Sequence, residues 1–211
     1  MLEEEEFNTR VGEPKPAITF FRTKEPHPQK LNEAQDLLLA SNLPAAIQTY
    51  RYIASAGSPK AMMALGNFYR KGEGVQRDLK QAEQWFLRAI ALDFVPAVYC
   101  LGLTYLKLGY YRKATIQFNT AAHRGFLPAV YMLGEMYYRG QGIERNLDKA
   151  KELWELANKK QFVPAKIALA KLLMSGSYGV LVGFRGVWLH LEAVIMRRHL
   201  QKKNRWDERL G

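Results

Sequence analysis

The sequence predicts an all-α protein, an α-solenoid of about five antiparallel helix pairs. Three observations predict it. The tetrapeptides Phe94-Val95-Pro96-Ala97, Phe126-Leu127-Pro128-Ala129 and Phe162-Val163-Pro164-Ala165 each open a stretch whose residue types match position by position. Leu65-Gly66, Leu101-Gly102, Leu133-Gly134 and Leu169-Ala170 keep register at steps of 36, 32 and 36 residues, and Ala82, Ala114 and Ala150 recur with them. Inside each stretch the apolar residues fall three and four positions apart, the period of a helix with one buried face. A unit of this length cannot bury its apolar face alone and stacks on its neighbours.

Residues 1–28 precede the array. They hold the acidic run Glu3 to Glu6 and four prolines, Pro14, Pro16, Pro26 and Pro28, with only Ala17 to Phe21 strand-like. Proline at this density forbids a stable helix, so the expectation is an extended, partly ordered leader whose Ile18-Thr19-Phe20-Phe21 patch can dock on the first repeat. From Gln29 the pattern turns helical. Leu31, Ala34, Leu37 and Leu38 form one stripe, Asn42-Leu43-Pro44 breaks it, and Ala46, Tyr50, Ile53 and Ala54 form the next.

The second pair starts at Ser58-Pro59, a capping hydroxyl followed by proline in the first turn, and stops at Lys71-Gly72-Glu73-Gly74-Val75. Glycine there supplies the left-handed conformation that ends a helix cheaply. Asp78 then caps a helix holding Ala82, Trp85, Phe86 and Ala89. The third pair, Pro96 to Arg124, turns tightly at Leu108-Gly109-Tyr110, which accounts for the 32-residue step. The fourth restores the long loop as Arg139 to Asn146. The last opens at Pro164, and residues 184–203 read as a modified closing helix in which Gly186, Leu189 and Ala193 take the register of Ala150, Leu153 and Ala157. The array proper is thus 29–175, with 176–211 an atypical capping helix and basic tail.

Recurrent small residues and aromatics have a packing explanation. Glycine inside a helix costs about 1 kcal/mol against alanine, so Gly66, Gly102 and Gly134 are expected to be notches for a closely approaching partner helix. Phe86, Phe118 and Trp154 come from that opposing helix, with Tyr69, Tyr105 and Tyr137 one turn beyond the notches.

The run from Ala61 to Ala89, with Leu65-Gly66, Tyr69, Gly72, Gly74-Val75, Asp78, Ala82, Trp85-Phe86 and Ala89, resembles the Sel-1-like repeat signature almost throughout. Ala129 to Ala157 repeats it, with Ile143, Asn146 and Asp148 in the loop and Leu153-Trp154 at the aromatic pair. The shorter unit, Pro96 to Gly125, resembles the related tetratricopeptide repeat, and the tail is loosely similar to those of small bacterial Sel-1-like proteins. The resemblance spans roughly residues 29 to 196. It implies a right-handed superhelix and an adaptor that binds another protein, without catalysis and without a cofactor. Carried over by register, the first helix of each pair would line a concave face with Met63, Asn67, Arg70, Tyr99, Leu103, Lys107, Tyr131, Glu135, Tyr138 and Lys171.

Thirty-one Lys and Arg against twenty Asp and Glu give a net charge of +11, which suggests an acidic partner, an anionic membrane surface or nucleic acid. The alternative function uses the membrane surface: Val187, Trp188, Leu189, Leu191, Val194 and Ile195, followed by Arg197, Arg198, Lys202, Lys203, Arg205 and Arg209, compose an interfacial helix with a basic tail that would dock a scaffold on anionic lipid. Against that stands an ordinary solvated helix end whose cations favour the helix dipole. The stretch Tyr178 to Met196 carries Arg185, His190 and Glu192 and does not qualify as a membrane span. One cysteine and no basic-plus-apolar N-terminal signal read as a cytoplasmic protein.

Other chemistries fail on inventory. His27, His123, His190 and His199 have no ligand spacing, so no metal is expected. Gly72-x-Gly74 and Gly140-x-Gly142 lack the strand and the Gly-Lys-Ser of a phosphate loop. Cys100 has no histidine in its local pattern and reads as a buried small residue. No nucleic-acid motif accompanies the basic residues.

Overall fold

Proline in the first turn starts most of the helices, behind an oxygen-bearing cap at Asn42 and Ser58. The structure, a computed structural model, describes residues 25–175 and 185–196. Its helices are α1 (Pro28–Leu39), α2 (Leu43–Ser55), α3 (Pro59–Lys71), α4 (Leu79–Ala91), α5 (Val95–Lys107), α6 (Tyr111–His123), α7 (Leu127–Arg139), α8 (Leu147–Lys159) and α9 (Val163–Met174). A tenth, α10, spans 185–196, and no strand occurs among the described residues. The expected all-α helical-repeat solenoid class is therefore the class observed, as five consecutive helix pairs among the described residues. The strand-like patch Ala17 to Phe21, the loop beyond Ser175 and the cations Arg197, Arg198, Lys202, Lys203, Arg205 and Arg209 lie outside the described residues.

The helix signals act as their chemistry requires. Ser58 Oγ accepts from the Ala61 amide at 3.1 Å, Asp78 Oδ1 from the Lys80 and Gln81 amides at 2.9 and 3.0 Å, and Asn146 Oδ1 from the Lys149 amide at 2.9 Å. Each satisfies amide groups that the first turn leaves without a helical partner. Gly72 ends α3 at φ 80°, and Gly140 follows α7 at φ 67°.

The described residues fall into two compact units that meet between Ala129 and Val130, within α7. In the first, α1 packs on α2, α3 on α4 and α5 on α6, while α2 against α3 and α4 against α5 join successive pairs. Phe86 and Phe118 are wholly buried at its centre. A Cβ placed on Gly66 would lie 2.5 Å from Phe86 Cε1, and one on Gly102 would lie 2.6 Å from Phe118 Cε1. The notches therefore admit aromatic rings, and the helix backbone forms the floor of each slot.

In the second unit the same relation holds between Gly134 and Trp154, whose indole also donates to the Tyr131 carbonyl at 3.2 Å. Helix α9 packs on α8. Gly186 lets α10 approach α9 closely, since an added Cβ would meet the Ala170 carbonyl oxygen at 2.8 Å and Leu173 Cβ at 3.0 Å. Ala193 is fully buried and Leu189 half-buried.

Candidate interaction surface

Because the Gly-aromatic slots occupy one side of α3 and α5, another side of each is left for contact. On α3, Met63, Asn67 and Arg70 recur at four and three residues and are half-buried; on α5, Tyr99 and Leu103 are half-buried and Lys107 is exposed. Helices α3 and α5 touch directly. The link is polar: Asn67 Nδ2 donates to Cys100 Sγ at 3.9 Å, while Asn67 Oδ1 accepts from Arg70 Nε and Nη2 at 3.2 and 2.9 Å. Asn67 thus aligns the Arg70 guanidinium and couples it to the neighbouring repeat.

Electrostatics mark this surface as cationic. Burial lowers the Lys107 ammonium below the ordinary lysine range, and the like charges of Arg77, Arg70 and Lys71 push it further down. Burial raises the Tyr99 hydroxyl, as does neighbouring Cys100, with Arg70 opposing. Burial likewise raises the Cys100 thiol against the pull of Arg70 and the Asn67 hydrogen bond, which makes it a poor thiolate source. No group of three or more His, Cys, Asp or Glu able to hold a metal occurs among the described residues.

The tyrosines are less free than their sequence positions suggest. Tyr99 lies 5.8 Å from Phe118 and 5.4 Å from Phe126, ring centre to ring centre, so its ring is part of the packing. In the second unit Tyr131 stands 6.1 Å from Phe162 and Tyr138 5.6 Å from Trp154. There Glu135 is half-buried and ion-paired with Arg139 at 2.8 Å, while Tyr138 and Lys171 are exposed. The structure therefore brings Met63, Asn67, Arg70, Tyr99, Leu103 and Lys107 into one unit, and Tyr131, Glu135, Tyr138 and Lys171 into the other. Arg77, absent from the register argument, belongs with the first group. Its signal was the left-handed Gly72, whose added Cβ would sit 3.1 Å from Arg77 Cβ.

Helix α10 carries a second surface. Val187, Trp188, Leu191, Val194 and Ile195 are all exposed, at positions that share one helix face, opposite Gly186 and Ala193. Glu192 accepts from Trp188 Nε1 at 2.8 Å and pairs with buried Lys166 at 2.6 Å. The Lys166 hydrogen bond first, then that of Trp188, hold its carboxyl below the usual range. No helix among the described residues is long and apolar enough to cross a membrane.

Helix pairs joined by glycine-ended turns, with a glycine-aromatic slot repeated from pair to pair, define a helical-repeat fold. The Sel1 repeat family matches the chain at residues 59–94 and 127–161, less than half of its length. A protective antigen of uropathogenic Escherichia coli that displays an SLR fold is 26% identical, with a TM-score of 0.61 over 69% of this chain and 33% of that one. A Sel1 repeat protein from Oxalobacter formigenes is 24% identical, with a TM-score of 0.59 over 71% of this chain and 63% of that one. A Pseudomonas aeruginosa protein is 22% identical, with a TM-score of 0.61 over 86% of this chain and 72% of that one. The chain thus spans about a third of the antigen's length and less than two thirds of the Oxalobacter protein's. No curated protein matches the chain. Sel1-like repeat proteins are generally non-catalytic scaffolds for protein interaction.

Proposed function

We propose that this protein is an adaptor that holds an extended, acidic segment of another protein against the first helices of its repeats. The observation that carries this reading is the stripe Met63-Asn67-Arg70 on α3 beside Tyr99-Leu103-Lys107 on α5, half-buried except at exposed Lys107, cationic and linked through Asn67. Half-buried aromatic, Met and Arg side chains combine contact area with directional hydrogen bonds, the mixture that anchors protein interfaces. The charge of +11 favours an acidic partner by steering. The positions Tyr131, Glu135, Tyr138 and Lys171 offer the equivalent faces of the second unit.

A photo-crosslinking amino acid at Leu103, compared with one at Ile116 on α6, tests the reading in cells that express the full chain. Crosslinks to a common partner should come from Leu103 and disappear when Arg70→Glu and Lys107→Glu are added, with the far-UV spectrum unchanged. Equal crosslinking from Ile116 would refute it, because that residue faces solvent on a second helix.

A second reading has its own observation. The exposed face of α10, Val187, Trp188, Leu191, Val194 and Ile195, is apolar, and Arg197, Arg198, Lys202, Lys203 and Arg205 follow it in sequence. This order suits a helix lying in the interface of an anionic membrane. Flotation with phosphatidylserine liposomes should carry the intact chain and lose it on removal of 184–211 or on Trp188→Glu with Leu191→Glu. If the intact chain stays at the bottom of the gradient, this reading is wrong.

A further inference from the structure

The two long-loop repeats are nearly the same in sequence yet handle their cations differently. In the second unit Arg139, in the last turn of α7, pairs with Glu135 at 2.8 Å, and Arg145 turns back so that Nε donates to the Tyr138 carbonyl at 3.2 Å. By register from the Leu-Gly notch, Glu135 corresponds to Asn67, Tyr138 to Arg70, Arg139 to Lys71 and Arg145 to Arg77. The first unit therefore replaces an acid by an amide and a tyrosine by an arginine at the same places.

From this difference we infer that Arg70, Arg77 and Lys107 form a carboxylate-binding site at the end of α3, taking paired acidic side chains of the adaptor's partner. The inference rests on the adaptor reading and names what that face recognises. Its geometry has three parts. Asn67 holds two nitrogens of the Arg70 guanidinium on its own oxygen. The left-handed Gly72 brings Arg77 back against the end of α3, where it also lines an open polar depression with Arg51, Tyr69 and Gln81. Lys107 ends α5, the helix that Asn67 touches through Cys100.

The nearby acids do not neutralise the group. Glu73 pairs with Lys71 at 3.2 Å, Asp78 is occupied with the first amides of α4, and Glu83 accepts from the Tyr105 hydroxyl at 2.7 Å. Burial lowers Lys107 first and the like charges of Arg77, Arg70 and Lys71 add to it, and an incoming anion would relieve that second contribution. A planar carboxylate suits the remaining donors of an aligned guanidinium, and a second, nearby carboxylate suits a lysine ammonium.

The test places a carboxylate where the twin repeat has one. A fluorescein-labelled Glu decapeptide is titrated against the full chain in low salt, with a Gln decapeptide and a ten-nucleotide oligo-dT as comparison probes. Asn67→Glu should weaken Glu-decapeptide binding at least tenfold, and Arg77→Gln and Lys107→Gln, at exposed positions that leave folding intact, about three- to tenfold each. Addition of the peptide should raise the Lys107 pKa, followed by NMR of its side chain. Unchanged affinity in the Arg77→Gln and Lys107→Gln proteins would overturn the site, as would equal binding of the Gln decapeptide. Equally tight oligo-dT binding with the same losses would make it a general polyanion surface and overturn the peptide assignment. If Leu103 still crosslinks while the decapeptide fails, the carboxylate site alone is wrong; if both fail, so is the adaptor reading.

Discussion

Gly102→Ala sets two opposing effects against each other in the core of the first unit. Helix propensity favours alanine by about 1 kcal/mol in a helix interior. Packing opposes it: the new methyl would stand 2.6, 2.9 and 3.1 Å from Phe118 Cε1, Cδ1 and Cζ, and that ring is wholly buried. Tyr99 stands against the same ring at 5.8 Å, so the ring cannot withdraw without moving a second aromatic. Overpacking of this kind costs about 1–3 kcal/mol. Three short contacts to one enclosed ring put the cost near the upper end, leaving a net loss of about 2 kcal/mol. Urea unfolding followed by far-UV dichroism measures it, with Phe118→Leu and the double variant completing a cycle. The double variant should lose less than the two single losses summed, by about 1–2 kcal/mol, because the smaller side chain removes the collision. If Gly102→Ala is as stable as the parent, the glycine is not a notch and the slot argument for Gly66 and Gly134 fails with it.

Asp78→Ala should cost about 1 kcal/mol and Asp78→Asn far less, measured by urea unfolding, since only the first removes the cap on the Lys80 and Gln81 amides. Tyr105 should titrate at about 12 by its 295 nm absorbance, because burial first and the Glu83 hydrogen bond second disfavour the tyrosinate. A folded pKa raised above the ordinary tyrosine value of 10.0 contributes stability that is complete below pH 10 and lost as pH rises to about 12. Tyr105→Phe should therefore flatten that alkaline limb of a stability profile; an unchanged limb would contradict the assignment. Glu192→Gln should loosen α10 more than Lys166→Met, because it strands an ammonium that is buried, whereas methionine fills the same space without charge. Hydrogen exchange in 185–196 reports it. The Glu192 carboxyl is held below the ordinary glutamate value of 4.5, so this stabilisation is complete above about pH 4.5 and lost as pH falls through the lowered value.

Local chemistry made the fold readable. Ser58-Pro59, Asp78 and Gly72 act within a turn of their own positions, so a short window contains both the signal and the group that answers it. The recurrence of Leu-Gly with an aromatic twenty residues on, or sixteen in the short-turn repeat, exposed the slots as well, because repetition presents the same pair three times: Gly66 with Phe86, Gly102 with Phe118, Gly134 with Trp154. The surface was legible only as a stripe. Register gave the positions of Met63, Asn67 and Arg70, yet the contact of Asn67 with Cys100 joins residues 33 apart, and no pattern announces an amide meeting a thiol.

The sequence by itself determined the helical repeat, its two turn lengths and the residues of each helix face, because period, caps and glycine stops are properties of neighbouring residues. Tertiary structure alone decided which polar groups answer one another. It buried Lys166 and gave it Glu192 as partner, committed Tyr99 to Phe118 and Phe126, and set Arg70 on the Asn67 amide where the other unit pairs Glu135 with Arg139. The physical reason is range. A cap or a helical stripe is settled within a few residues, whereas burial and charge balance depend on what a separate helix brings alongside.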